Sequence, residues 1–219
     1  MREERGLKHR FKLERDSFEA LLGGGFPMGS IVLMEGEEGS GKTLLSWRIC
    51  YGALKNDHSV TYISSEHTTR SFIHHMCSLD YDPLKYLIDG SLLFIPKATL
   101  KGIAKAPLEN LLRKREVAAA EIIILDMPGL KGEEVAKIYS ILKRLTWYRK
   151  SIILACNNDG GLRNEADIYL KISRVIGEAG NTHGIDIVRF SGTRQRFTDT
   201  IQFRVEPGVG FVLEITEVV

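Results

Sequence analysis

Residues 36–43 read Gly36-Glu37-Glu38-Gly39-Ser40-Gly41-Lys42-Thr43, a G-x-x-x-x-G-K-T loop. The pattern constrains the fold because its chemistry needs a strand before it and a helix after it. Ile31-Val32-Leu33-Met34 is an apolar run that predicts a buried strand. Lys42 to about Lys55 predicts a helix, with Leu44, Leu45, Ile49 and Leu54 near one face. Glycines at 36, 39 and 41 open backbone conformations closed to other residues and permit close approach to an anion. Loop amides and the positive end of the helix then face the phosphates of a nucleoside triphosphate. Lys42 is placed to neutralise β- and γ-oxygens, and the Thr43 hydroxyl to hold Mg²⁺. Gly36, Gly39, Ser40, Gly41, Lys42 and Thr43 are the expected nucleotide-binding residues, and Glu37 and Glu38 are expected to point away from the phosphates.

The remaining elements follow from periodicity and turn signals. Strands are predicted over 59–64, 92–95, 121–126 and 151–156, and helices over 69–79, 83–88, 107–116 and 131–149. Pro107 suits the first turn of its helix, where a missing N–H costs nothing. Val135, Ile138, Ile141, Leu142 and Leu145 form the inward stripe of the longest helix. Beyond Cys156 the pattern changes to strands at 167–173, 184–191, 200–205 and 210–214, with no helix between them. The chain is therefore expected to be one α/β domain, 1–219, of RecA-like P-loop type. Its mostly parallel central sheet is flanked by helices and extended at one edge by antiparallel C-terminal strands.

Strand ends supply the rest of the expected site. Asp126 closes an Ile-Ile-Ile-Leu run, the pattern of a carboxylate that joins Thr43 in holding Mg²⁺. In a doubly wound sheet, ligands sit at the carboxyl ends of strands. Glu66 follows the strand after the P-loop helix, where it can orient an attacking water. Asn157 follows the strand after Asp126's and is placed to sense the γ-phosphate. Asp126-Met127-Pro128-Gly129 also matches the D-x-x-G of GTPases. The guanine-reading N-K-x-D has only Asn164-Glu165-Ala166-Asp167 as its nearest match, with Glu in place of Lys.

Bulk properties narrow the partners. Of 219 residues, 43% are hydrophobic and 26% charged, and the net charge is +2, so nothing in the bulk attracts nucleic acid or an anionic membrane. No apolar stretch approaches the ~18 residues of a membrane span. The segment MREERGLKHRFKLER is charged throughout and has no apolar signal core. Residues 1–15 are expected to be a solvated charged arm, and the protein cytoplasmic. Cys50, Cys77 and Cys156 form no C-x-x-C, which predicts free thiols, with Cys50 and Cys156 in the core. His74 and His75 point about 100° apart on a helix, a poor arrangement for shared metal ligation.

Several stretches resemble a known family. Leu22-Gly23-Gly24-Gly25-Phe26-Pro27-Met28-Gly29-Ser30 is similar to the LGGGIPxGS lead-in of KaiC-like members of the RecA superfamily. Residues 59–72, 78–82 and 201–211 resemble the accessory ATP-binding proteins of the archaellum, the archaeal flagellum. The resemblance implies a cytoplasmic ATP- and Mg²⁺-binding subunit that forms a homo-oligomeric ring beneath the archaellum membrane platform. It also implies engagement of the assembly ATPase FlaI and a regulatory role rather than fast turnover. A DNA-dependent RecA-type ATPase and another KaiC-like signalling ATPase are the alternatives. Departures from the KaiC pattern point the same way. One of two acids is missing at Ser65-Glu66, the Lys-x-Arg is reduced to Arg189-Phe190-Ser191, and Asp-Ser becomes Asp126-Met127. Arg189, or the nearby Arg194 and Arg196, could reach a neighbour's phosphates, or solvate a β-edge instead.

Overall fold

Five apolar runs build the centre of the molecule: β3 (Ile31–Glu35), β4 (Val60–Ser64), β5 (Leu92–Ile95), β6 (Ile122–Asp126) and β7 (Ser151–Cys156). Four of them are buried along their whole length, so they read as unbroken rather than alternating hydrophobic stretches. A computed structural model describes residues 8–96, 99, 107–158, 161–177, 180–191, 200–206 and 208–214.

The five strands join β8 (Ile168–Gly177), β9 (Gly180–Phe190), β10 (Thr200–Glu206) and β11 (Gly210–Glu214) in one nine-stranded sheet. Its order is β11-β10-β9-β8-β3-β7-β6-β4-β5. From β8 to β5 neighbouring strands are parallel, and from β8 to β11 they are antiparallel. This is the mostly parallel RecA-type sheet with antiparallel C-terminal strands. β8 and β9 run longer than the sequence predicts, because they pair from Ile168↔Phe190 to Gly177↔Gly180.

Period-2 alternation divides the core between the two faces. Val32, Met34, Ile122, Ile124 and Ile153 face α2 (Lys42–Lys55) and α3 (Thr69–Ser78). Ile31, Leu33, Ile123, Leu125, Ile152 and Leu154 face the opposite helical layer. That layer holds α5 (Pro107–Leu112), α6 (Arg115–Ala119) and α7 (Gly132–Trp147). All five stripe residues of α7 are buried. The helix expected over 107–116 is instead two, because Lys114 is extended (φ −66°, ψ 137°) and breaks it. Short helices α1 (Phe18–Leu21) and α4 (Leu84–Asp89) complete the described set.

The expected solvated arm requires correction from residue 8 onward. β1 (Lys8–His9) pairs with β2 (Phe26–Pro27), and Phe11 and Leu13 are buried. Phe11 and Leu13 alternate with charged neighbours, so one face of the segment packs while the other carries the charge. Arg48 of α2, itself fully buried, fastens the segment. It donates to both Asp16 carboxylate oxygens and to the Phe11 carbonyl at 2.7 Å, and lies over the Phe18 ring. Cys50 and Cys156 are buried free thiols, and Cys77 is exposed.

Candidate functional site

The carboxyl ends of β3, β7, β6 and β4 lie side by side in that order. The segments leaving them enclose a cavity of about 300 Å³. Gly39, Gly41, Lys42, Thr43 and Leu44 line it from the loop after β3. Glu66 lines it from β4, Pro128 and Gly129 from β6, and Asn157 from β7. Topology brings together residues as far apart in sequence as Glu38 and Asn157. Glu38, expected to point away, is also among the lining residues.

Gly41 caps α2 with φ 103°, a conformation that side chains rarely adopt. The Lys42 ammonium donates to the carbonyls of Gly36 and Glu37 at 2.7 Å each, and to the Ser40 hydroxyl at 3.3 Å. Burial lowers its pKa, and neighbouring anions, Asp126 foremost, act against that shift. Gly36 and Ser40 do not line the cavity. A Cβ at Gly36 would meet the Ile172 carbonyl of β8 at 2.1 Å, so this glycine seats the loop on the sheet. The Ser40 side chain is turned inward to Lys42.

Asp126 stands behind Thr43. Its Oδ1 accepts from the Thr43 hydroxyl at 3.1 Å and its Oδ2 from the Tyr62 hydroxyl at 3.0 Å. Burial pushes the Asp126 carboxyl up to about 6, against the lowering effect of the Tyr62 and Thr43 hydrogen bonds. A hydroxyl and a carboxylate so placed are hard oxygen donors, and they fit Mg²⁺, which takes few protein ligands and fills its shell with water and phosphate. Glu66 is exposed. Its backbone is fixed by the Ser64 hydroxyl, which accepts from the amides of Glu66 and His67. Asn157 is exposed, and its amide donates to the Pro128 carbonyl at 3.1 Å.

Arg189 is engaged by backbone carbonyls. Its guanidinium donates to the carbonyls of Arg163 and Ala166 at 2.6 and 3.0 Å, in its own chain. Arg194 and Arg196 lie outside the described residues.

Three groups near the loop escape a reading of the sequence. Tyr62, an inward residue of β4, supports Asp126. Glu35, at the end of β3, accepts from Arg163 and from the Tyr169 hydroxyl, and the Arg163 hydrogen bond is the main cause of its lowered pKa. His183 of β9 reaches the Ser40 carbonyl with Nδ1 at 2.7 Å. Each joins partners more than 60 positions apart, and no local motif records such a pairing.

Away from the cavity, His9, His58 and Glu121 bring ligand-type atoms within 4.8 Å of one another. Hydrogen bonds already occupy them. The Arg10 amide donates to His58 Nε2, His58 Nδ1 faces Glu121, and His9 Nδ1 meets the Ser151 hydroxyl. The cluster is a polar clasp for the N-terminal segment.

A family model described as KaiC ATPase matches residues 16–126. The archaeal flagellar ATP-binding protein FlaH of Methanocaldococcus jannaschii is 31% identical over 225 residues, covering 95% of this chain and 97% of that one. FlaH of Methanococcus voltae is 32% identical, covering 95% and 98%. The crystal structure of flagellar accessory protein FlaH from M. jannaschii matches with a TM-score of 0.86 at 30% identity, over 95% of this chain and all of that one. A KaiC-like protein of Pyrococcus horikoshii matches with a TM-score of 0.77 at 22% identity, over 95% and 99%, which is a likeness of fold.

Proposed function

The chain belongs to the KaiC-like ATPases and, within them, to the archaeal flagellar ATP-binding proteins FlaH, and from that membership we propose that it binds ATP with Mg²⁺ as a regulatory subunit of the archaellum motor. The observation that carries the reading is the convergence of Gly39, Gly41, Lys42 and Thr43 with Glu66 and Asn157 on one cavity, with Asp126 bonded to Thr43 behind it.

The residues divide the work. Loop amides and the α2 N-terminus take the phosphate charge. Lys42 exchanges the Gly36 and Glu37 carbonyls for β- and γ-phosphate oxygens. Thr43 and Asp126 hold Mg²⁺ directly or through its water shell, and Tyr62 fixes the orientation of the carboxylate. Held there, the cation would supply charge neutralisation to the phosphates. Glu66 positions the attacking water, and Asn157 contacts the γ-phosphate.

Two observations support slow hydrolysis. Glu66 follows Ser65, so the site has one acid where KaiC-like patterns carry two. Arg189 is held by its own chain's carbonyls rather than extended toward a neighbour. An arginine supplied to the transition state can be worth ~10³–10⁵ in rate. The proposed partners are the motor ATPase FlaI and the archaellum membrane platform, met by an ATP-dependent homo-oligomeric ring. Placement is cytoplasmic, with membrane contact through those partners. Among the described residues no helix is long and apolar enough to cross a membrane.

Calorimetric titration with ATP and Mg²⁺ tests the core of the proposal. Lys42→Ala is expected to weaken binding at least about tenfold, the effect of ~1.4 kcal/mol. Equal affinity in the two proteins would show that the loop is a structural remnant.

A further inference from the structure

We propose that His183 is a positioning residue for the phosphate loop: from β9 it grips the Ser40 carbonyl and so fixes the direction of the Gly41 amide. The inference rests on the nucleotide-binding reading above for its functional half.

The carbonyl can only accept, so the ring nitrogen facing it at 2.7 Å is Nδ1–H. The contact is buried, and His183 itself is 9% exposed. The ring cannot swing away easily. It pairs across the strands with Phe203 of β10 and stacks on it, centroids 5.0 Å apart and planes at 24°. Phe203 stacks in turn on Phe211 of β11.

A trans peptide sends its C=O and N–H in opposite directions. With the Ser40 carbonyl held toward β9, the Gly41 N–H points away from β9. Gly41 is a cavity residue, and its amide is among those expected to meet the phosphates. Glycine at 41 also lets the grip form. A Cβ there would lie 3.0 Å from His183 Nδ1 and 3.2 Å from Phe203 Cζ, so the ring stands where a side chain would be. The Ser40–Gly41 peptide turns about Ser40 ψ and Gly41 φ, and the second of these is unrestrained by any Cβ. A turned peptide presents oxygen to an anion and repels it. The hydrogen bond to His183 opposes that turn before any nucleotide arrives, which is preorganisation of the loop.

Two variants separate positioning from packing. His183→Phe keeps a ring against Phe203 and removes the donor. His183→Asn places an N–H near the former Nδ1 and removes the ring. For ATP with Mg²⁺, the Phe protein is expected to bind about tenfold more weakly than wild type. The Asn protein is expected to return to within about threefold. In the nucleotide-free proteins, the amide resonance of Gly41 should shift in the Phe variant and move back in the Asn variant. A Phe variant that binds as tightly as wild type overturns the proposal. So does a Gly41 amide that does not move, or an Asn variant as weak as the Phe variant. If wild type and Lys42→Ala bind ATP equally, the nucleotide reading falls and takes the functional half with it. The Gly41 resonance still decides the grip itself.

Discussion

Lys42 and Glu66 reach the same cavity under different constraints. Lys42 is buried with all three ammonium protons engaged, whereas Glu66 is exposed and held only through its backbone. A carboxylate free to meet water, and not tied to the loop, is expected to act on the reaction rather than on binding. Glu66→Gln is expected to lower the rate of phosphate release at least about tenfold and to leave ATP affinity within about twofold. A Gln protein that turns over as fast as wild type would remove Glu66 from the site. His9 carries a separate expectation. Burial, followed by the nearby His58 and Lys150, lowers its pKa from 6.5 to about 4, against an opposing Glu121. An unfolded chain takes up that proton near pH 6.5, while the folded one resists until about 4. The contribution of His9 to stability is therefore flat above 6.5 and is lost between 6.5 and 4, about 3 kcal/mol in all, while the raised carboxyl of Asp126 contributes with opposite sign below about 6. The change in denaturant midpoint between pH 7 and 4.5 should be more destabilising in wild type than in His9→Asn, and an equal change in the two would remove His9 as the cause. Loop and strand-end residues are legible in sequence because phosphate chemistry dictates their types and spacing. His183 is not, since a lone histidine on a strand has many uses and its partner lies 143 positions away.

At the scale of elements, α2 joins two regions. Its first turn faces the cavity, its middle holds Asp16 through Arg48, and Gly52 lies against the N-terminal segment. A Cβ at Gly52 would stand 2.2 Å from the Phe11 carbonyl, which is backbone and cannot move aside cheaply. Alanine improves helix propensity by about 1 kcal/mol. Overpacking costs about 1–3 kcal/mol, and expulsion of the Phe11 segment would add lost burial. Gly52→Ala is expected to lower the unfolding midpoint despite the better propensity. Gly129→Ala, with nothing within 4 Å of its Cβ, is the control and should leave it nearly unchanged. An unaltered Gly52→Ala protein would mean the segment repacks without loss. Most elements are legible from apolar period alone, since buried parallel strands and an amphipathic helix such as α7 write their environment into their sequence. The N-terminal segment is misread because its charges outnumber its core residues. Phe11 and Leu13 fall at period 2, a signal too short to outweigh them.

For the whole molecule, we expect ATP with Mg²⁺ to convert monomer to a larger species in light scattering, with Lys42→Ala remaining monomeric. A wild-type protein that stays monomeric at high concentration with ATP would exclude a ring of this chain alone. Arg189→Ala should affect that assembly little, because its guanidinium is already satisfied within the chain. The sheet order also bears on how the chain is made. β3, which carries the phosphate loop, is the first of the nine to be synthesised, yet its two neighbours are β7 and β8. Both follow it by more than a hundred residues, and the strand that bears His183 comes later still. A nascent chain that has just made its phosphate loop therefore has no sheet to lay it on, and non-local pairing of this kind closes slowly. Competence to hold a nucleotide is therefore expected only after β7 and β8 have been made. A chain cut short before β8 lacks one of the two strands that pair with β3 and, with it, the Ile172 carbonyl against which Gly36 is seated.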